Sequence, residues 1–138
     1  MAITTNAICN SFKKELLEAT HNFKTSGGGG NTFKLAMYTN SATLGKSTTS
    51  FTTGNEVSSS GYSSGGKALV NTGTSIATNT AITDFSDLSF TGVTLTARGA
   101  LIYNDTASGD PAVAVLDFGG DKTATAGTFT IQFPAFTT

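Results

Sequence analysis

A chain of 138 residues is long enough for one domain with a single core. Its net charge of −1 gives no electrostatic reason to bind a phosphate backbone or an anionic membrane. A single cysteine, Cys9, excludes an intrachain disulfide and a cysteine-based zinc cluster, and a single histidine, His21, excludes a multi-histidine metal centre.

Charged residues make up 12% of the chain, about half the usual share of roughly 25%. Polarity comes instead from 26 Thr and 14 Ser, accompanied by 16 Gly. Thr favours strands, while Ser and Gly favour turns, so the composition is that of an all-β protein with neutral polar faces. No apolar run approaches the ~20 residues of a membrane-spanning helix. The opening MAITTNAICNSF has no basic flank ahead of an apolar block, so no signal peptide is expected and folding is expected in a cytosol.

In chain order, residues 1–5 read as a short polar arm. A helix is predicted over 6–25: Asn6 can cap it, and Ile8, Phe12, Leu16, Ala19 and Phe23 recur at helical spacing, forming one apolar stripe. Gly27 to Gly30 stop it. Residues 32–39 (TFKLAMYT) predict a strand with Phe33, Leu35 and Met37 inward and Lys34 outward. After a turn region at 40–45 comes a long Ser/Thr/Gly segment, 46–66, whose sizeable apolar residues are Phe51, Val57 and Tyr62. So little apolar surface does not offset the ordering of that much chain, so a neighbouring chain is expected to order it.

Short strands follow at 67–72, 74–78 and 80–85, with a turn at Asn79. Leu88 to Phe90 begin a long strand bent at Gly92, and Gly99 marks a bulge or a close backbone approach. From Val93 to Phe133 the pattern predicts a three-stranded meander. Val93, Leu95, Ala97, Leu101 and Tyr103 alternate with polar residues, AVAVLDF at 112–118 is apolar on both faces, and Phe129, Ile131 and Phe133 alternate with Thr128, Thr130 and Gln132. Gly109, Asp110 and Pro111, then Gly119, Gly120 and Asp121, supply the two turns. The tail, 134–138, presents Phe136. The whole predicts one mainly β domain, an antiparallel β-sandwich of jelly-roll or Greek-key type with one N-terminal helix.

Chemistry-bearing clusters are weak. The Gly27–Gly30 run follows a helix and precedes a strand, the reverse of a phosphate-binding loop, and reads as a connector. Asp105 and Asp110, or Asp117 and Asp121, have calcium-binding oxygens, but the twelve-residue signature with its closing Glu is absent. Asp84 and Asp87 are a carboxylate pair of the kind glycoside cleavage uses, yet the chain has no tryptophan to stack on a sugar. No Gly-X-Ser-X-Gly elbow accompanies His21, and Cys9 reads as a buried, inert thiol. No catalytic residue, cofactor or metal is therefore assigned. Phe51, Val57, Tyr62 and Phe136 are the candidate interface residues, since aromatics in polar segments either anchor another chain or tuck under their own loop.

The blocks NSFKKELLEATHNF, TFKLAMYTNSATLG, ARGALIYND and AVAVLDFGGDKTATAGTFTIQFP resemble small virion structural proteins of tailed bacteriophages over most of the chain, less so over 46–66. The resemblance implies a virion location after synthesis in the host bacterial cytoplasm, and a non-enzymatic capsid decoration or cement role. Its implied partners are the major capsid protein and copies of the chain itself in a homotrimer, with no nucleic acid and no membrane. A tail or head-fibre component, or a carbohydrate-binding host-recognition module using Tyr62 or Tyr103, are the alternatives.

Overall fold

Alternating apolar and hydroxyl residues favour extended backbone, and extended backbone must find partners for its N–H and C=O groups. The structure, a computed structural model, describes residues 3–134. The strands are β1 (Ala7–Ile8), β2 (Phe33–Tyr38), β3 (Lys67–Ala68), β4 (Asn71–Ala77), β5 (Thr80–Phe85), β6 (Leu88–Asn104) and β7 (Ala112–Ile131), with one α-helix, α1 (Asn10–Leu17), and a short 3-10 turn at Ser26–Gly28. Five strands form an antiparallel sheet in the order β1-β7-β6-β2-β3, and β4 and β5 pair only with each other. The fold is mainly β and antiparallel with one N-terminal helix, sandwich-like rather than a closed barrel.

The sheet is covered on both faces where β2, β6 and the start of β7 meet. Register places Phe33 opposite Asn104 on one face, and Tyr103 and Tyr38 on the other, opposite Lys34 and Gly99. Phe23 stacks on Phe33 with ring centroids 4.4 Å apart, and Phe12 meets Phe23 edge-on at 5.8 Å. On the opposite face Phe51 stacks on Tyr103 at 4.6 Å. Leu35 to Tyr38 and Ala112 to Val115 are therefore all buried, as expected of strands apolar on both faces.

Several expectations are corrected. The helix predicted over 6–25 is confined to Asn10–Leu17. Its first residues are taken by the sheet instead: Ala7 and Ile8 pair with Val115 and Ala114, and the Cys9 N–H donates to the Val113 carbonyl. Its end comes at Ala19, which has a left-handed φ of 59°. Of the predicted stripe Phe12 is buried, whereas Ile8 and Leu16 are half exposed. Phe23 reaches the core from the returning segment after the helix. The N-terminal arm is pinned at Ile3, which is fully buried and whose carbonyl accepts two bonds from the Arg98 guanidinium, at 3.1 and 2.9 Å.

The predicted meander is a single hairpin, because β7 does not turn back at Gly119–Asp121. Ala97 pairs with Lys122 and Gly99 with Asp117, so two steps along β6 face five along β7, and the extra residues form a bulge. The Asp117 carboxylate accepts from the Gly119 N–H at 2.9 Å and lies 3.4 Å from the Arg98 guanidinium, which holds the bulge in place. Gly99, opposite it, is a close approach: a Cβ there would collide with the Leu116 carbonyl and the Ile3 side chain. The strand candidates 67–72 and 74–78 resolve into the short β3 and the longer β4, and the turn at Asn79 joins β4 to β5.

Candidate functional site

The long segment 46–66 packs on its own chain. Glu56, buried, accepts from the Tyr62 hydroxyl at 2.8 Å, the Ser64 hydroxyl at 2.8 Å and the Gly65 N–H at 2.7 Å. The Tyr62 hydroxyl in turn accepts from the Met37 N–H at 2.9 Å, and the Val57 N–H donates to the Met37 carbonyl. The segment thus closes the edge of β2 beyond β3. Tyr103 donates to the Gly65 carbonyl at 2.7 Å and Tyr38 to the Thr52 carbonyl at 2.6 Å. Burial raises the pKa of all three tyrosines well above the usual phenol value, so each is a neutral donor.

Of the candidate interface residues, Val57 is buried, Phe51 stacks on Tyr103, and Tyr62 stacks against Phe90. They pack against their own chain, and 46–66 is bonded to β2 through Met37 and to β6 through Tyr103. Phe136 lies outside the described residues. The apolar content of 46–66 was legible, but its one decisive anchor is polar: Glu56, the segment's only carboxylate, set among hydroxyls and glycines.

His21 is likewise built into the core. Asn104 uses its carbonyl oxygen to accept from the Thr106 and Ala107 N–H groups, so its amide nitrogen is what faces His21 Nδ1 at 3.1 Å. Nδ1 is therefore the acceptor, and Nε2 carries the hydrogen that it donates to Glu15 Oε2 at 2.7 Å. Both ring nitrogens are occupied and the ring sits against Phe12 and Phe33, so it braces the helix against the core. Cys9 is fully buried, and burial first, then Glu15, pushes its thiol up to about 11.

The aspartates do not converge. Asp105 pairs with Lys34 at 3.1 Å, Asp117 with Arg98, and Asp121 accepts from Asn40 at 3.2 Å. Among the described residues no group of three or more His, Cys, Asp or Glu is placed to hold a metal. Asp84 and Asp87 each bind nearby backbone: Asp84 its neighbour Phe85 and Asp87 the Phe133 N–H.

Two features remain open. The first is a groove of about 580 Å³ in the crook of β7, lined by Leu116, Phe118, Phe129, Ile131 and Phe133, with Lys122 at its rim. Every residue from Thr128 to Pro134 lines it. The Phe118 and Phe129 rings, far apart along β7, approach to 5.7 Å, so the groove lies where β7 bends over rather than along one straight run of strand. The outer edge of β7 beyond Val115 has no strand partner among the described residues. The second is the β4–β5 hairpin. It is tied to the body near its base, where Asn71 donates to the Phe23 carbonyl at 2.9 Å and Phe85 packs near Phe133 at 5.8 Å. Val70 and Ile76 are 64% and 79% exposed.

No family model, no curated protein and no solved structure matches this chain.

Proposed function

We propose that the chain is a non-enzymatic structural subunit of a bacteriophage particle, a decoration or cement protein that holds neighbouring subunits together. The observation that carries this reading is the pairing of a closed body with two unfinished elements: a hairpin that pairs with no third strand, and an apolar groove in the bend of β7, whose outer edge no described strand covers. A two-stranded hairpin is marginally stable in water on its own. Open strand edges are the surfaces to which other chains add. Such elements suit repeated, symmetric assembly, where modest affinity per contact is multiplied over many copies. The proposed partners are the major capsid protein and further copies of this chain, assembled as a trimer. Tyr62 and Tyr103, the aromatics a sugar-binding reading would use, spend their hydroxyls on Glu56 and Gly65.

The test is to band particles from the genome that encodes the chain on a density gradient and probe them with an antibody against it. The chain is expected in the particle band in stoichiometric copy number. Its recovery only in the soluble fraction would overturn the reading.

A further inference from the structure

We propose that the β4–β5 hairpin of one copy adds to the open edge of β7 in a second copy, with Ile76 seated in the groove formed by Leu116, Phe118, Phe129 and Ile131. The inference rests on the assembly reading above and names the partner that fills the groove.

Three observations select this occupant. The edge already accepts an added strand: β1 pairs antiparallel with Val115 and Ala114, Asn6 Oδ1 then accepts from the Asp117 N–H, and the stretch beyond has no strand partner among the described residues. The hairpin, with strands of seven and six residues, pairs with no third strand, and β7 beyond Val115 pairs with β6 on its inner side while its outer edge has no strand partner among the described residues. The charges are complementary, for Lys122 is the groove's one charged lining residue and Asp84 is the one charged residue from Asn71 to Phe85. The hairpin is also free of the proline and lysine that natural sheets use to blunt an edge. Donor and acceptor differ, so the contact is head to tail and closes into a ring when the rotation between copies allows it.

The test uses the full chain in solution, read by light scattering after size exclusion. Wild type is expected to self-associate. Ile76→Asp, which leaves the groove intact, and the double variant Lys122→Asp with Thr128→Asp, which leaves the hairpin intact, are each expected to be monomeric. All three positions are exposed, so both variants are expected to melt as the wild-type monomer does. Mixed in equal amounts, they are expected to form a two-chain species, because each supplies the half the other lacks. A second measurement does not depend on those variants. Ile76→Cys combined with Thr130→Cys is expected to give disulfide-linked ladders between chains under oxidation, with buried Cys9 silent, and neither single variant is expected to do so. Monomeric wild type with no inter-chain ladder would overturn the proposal, as would an Ile76→Asp chain that still self-associates or a mixture that stays monomeric. Particle banding with a monomeric chain in solution would leave the cement reading standing and remove this contact alone.

Discussion

The two ends of the β6–β7 hairpin use the same strands and reach different states. Near its loop, Ala100 to Asn104 and Ala112 to Val115 are all buried, flanked by β2 on one side and β1 on the other. Toward its far end, Val93, Leu95 and Ala97 are buried while Thr94 and Thr96 are exposed, and the outer edge of β7 has no partner among the described residues. One end is finished by its own chain and the other is half-finished. Stability is therefore concentrated where the sheet is five strands wide, and the surfaces that no described strand covers lie where it narrows to a ribbon and where β4–β5 leaves it.

The largest expected contrast comes from cutting the core at each end. Leu101→Ala, at a fully buried position in the wide sheet, is expected to lose about 2–5 kcal/mol in urea unfolding. Leu95→Ala, in the ribbon, is expected to lose less, because the thinner surroundings relax into the space. Equal losses would erase the distinction between the two ends. Glu56→Ala is expected to cost roughly 2–3 kcal/mol, since Tyr62, Ser64 and Gly65 lose their shared acceptor, and to make 46–66 sensitive to protease. A protease-resistant variant would show that this segment is held by something other than Glu56.

Alkaline pH sharpens the same contrast. Burial raises the pKa of Cys9, Tyr38, Tyr62 and Tyr103 in the fold, so the fold prefers their neutral forms. That contribution is complete below the unfolded values, about 8.5 for Cys and about 10 for Tyr, and is lost as pH rises through the raised ones. The urea midpoint is expected to stay level through neutral pH and fall above about pH 9; a midpoint that rises there would contradict the burial of these groups. The smallest effect is expected at the hairpin. Ile76→Ser should change the stability of the isolated chain by less than about 0.5 kcal/mol, because Ile76 touches solvent.

The sequence made the strands legible because hydroxyl and apolar residues alternate so strictly, and it located the bend at Gly92 and the close approach at Gly99. The helix was overread: Ile8, Leu16 and Ala19 have helical spacing, but the edge of β7 competes for Ala7 and Ile8 with inter-strand hydrogen bonds. Gly119–Asp121 has turn composition, and local composition does not distinguish a turn from a bulge when the next segment continues along the same partner strand. The candidate site was the least legible part. Phe129, Ile131 and Phe133 read as an inward face, and only the sheet order shows that the edge beside them is open. Ile76 sits between Ser75 and Ala77 with nothing local to mark its exposure.

Amide hydrogen exchange, followed in the dilute monomer and in the assembled state, tests this partition most directly. The account predicts that the amides of Ala100–Tyr103 exchange slowly in both states. Those of Thr74–Thr83 and Thr128–Thr130 should exchange fast in the monomer and become protected on assembly. Hairpin and edge amides as slow as the core in the monomer, or unchanged on assembly, would contradict it.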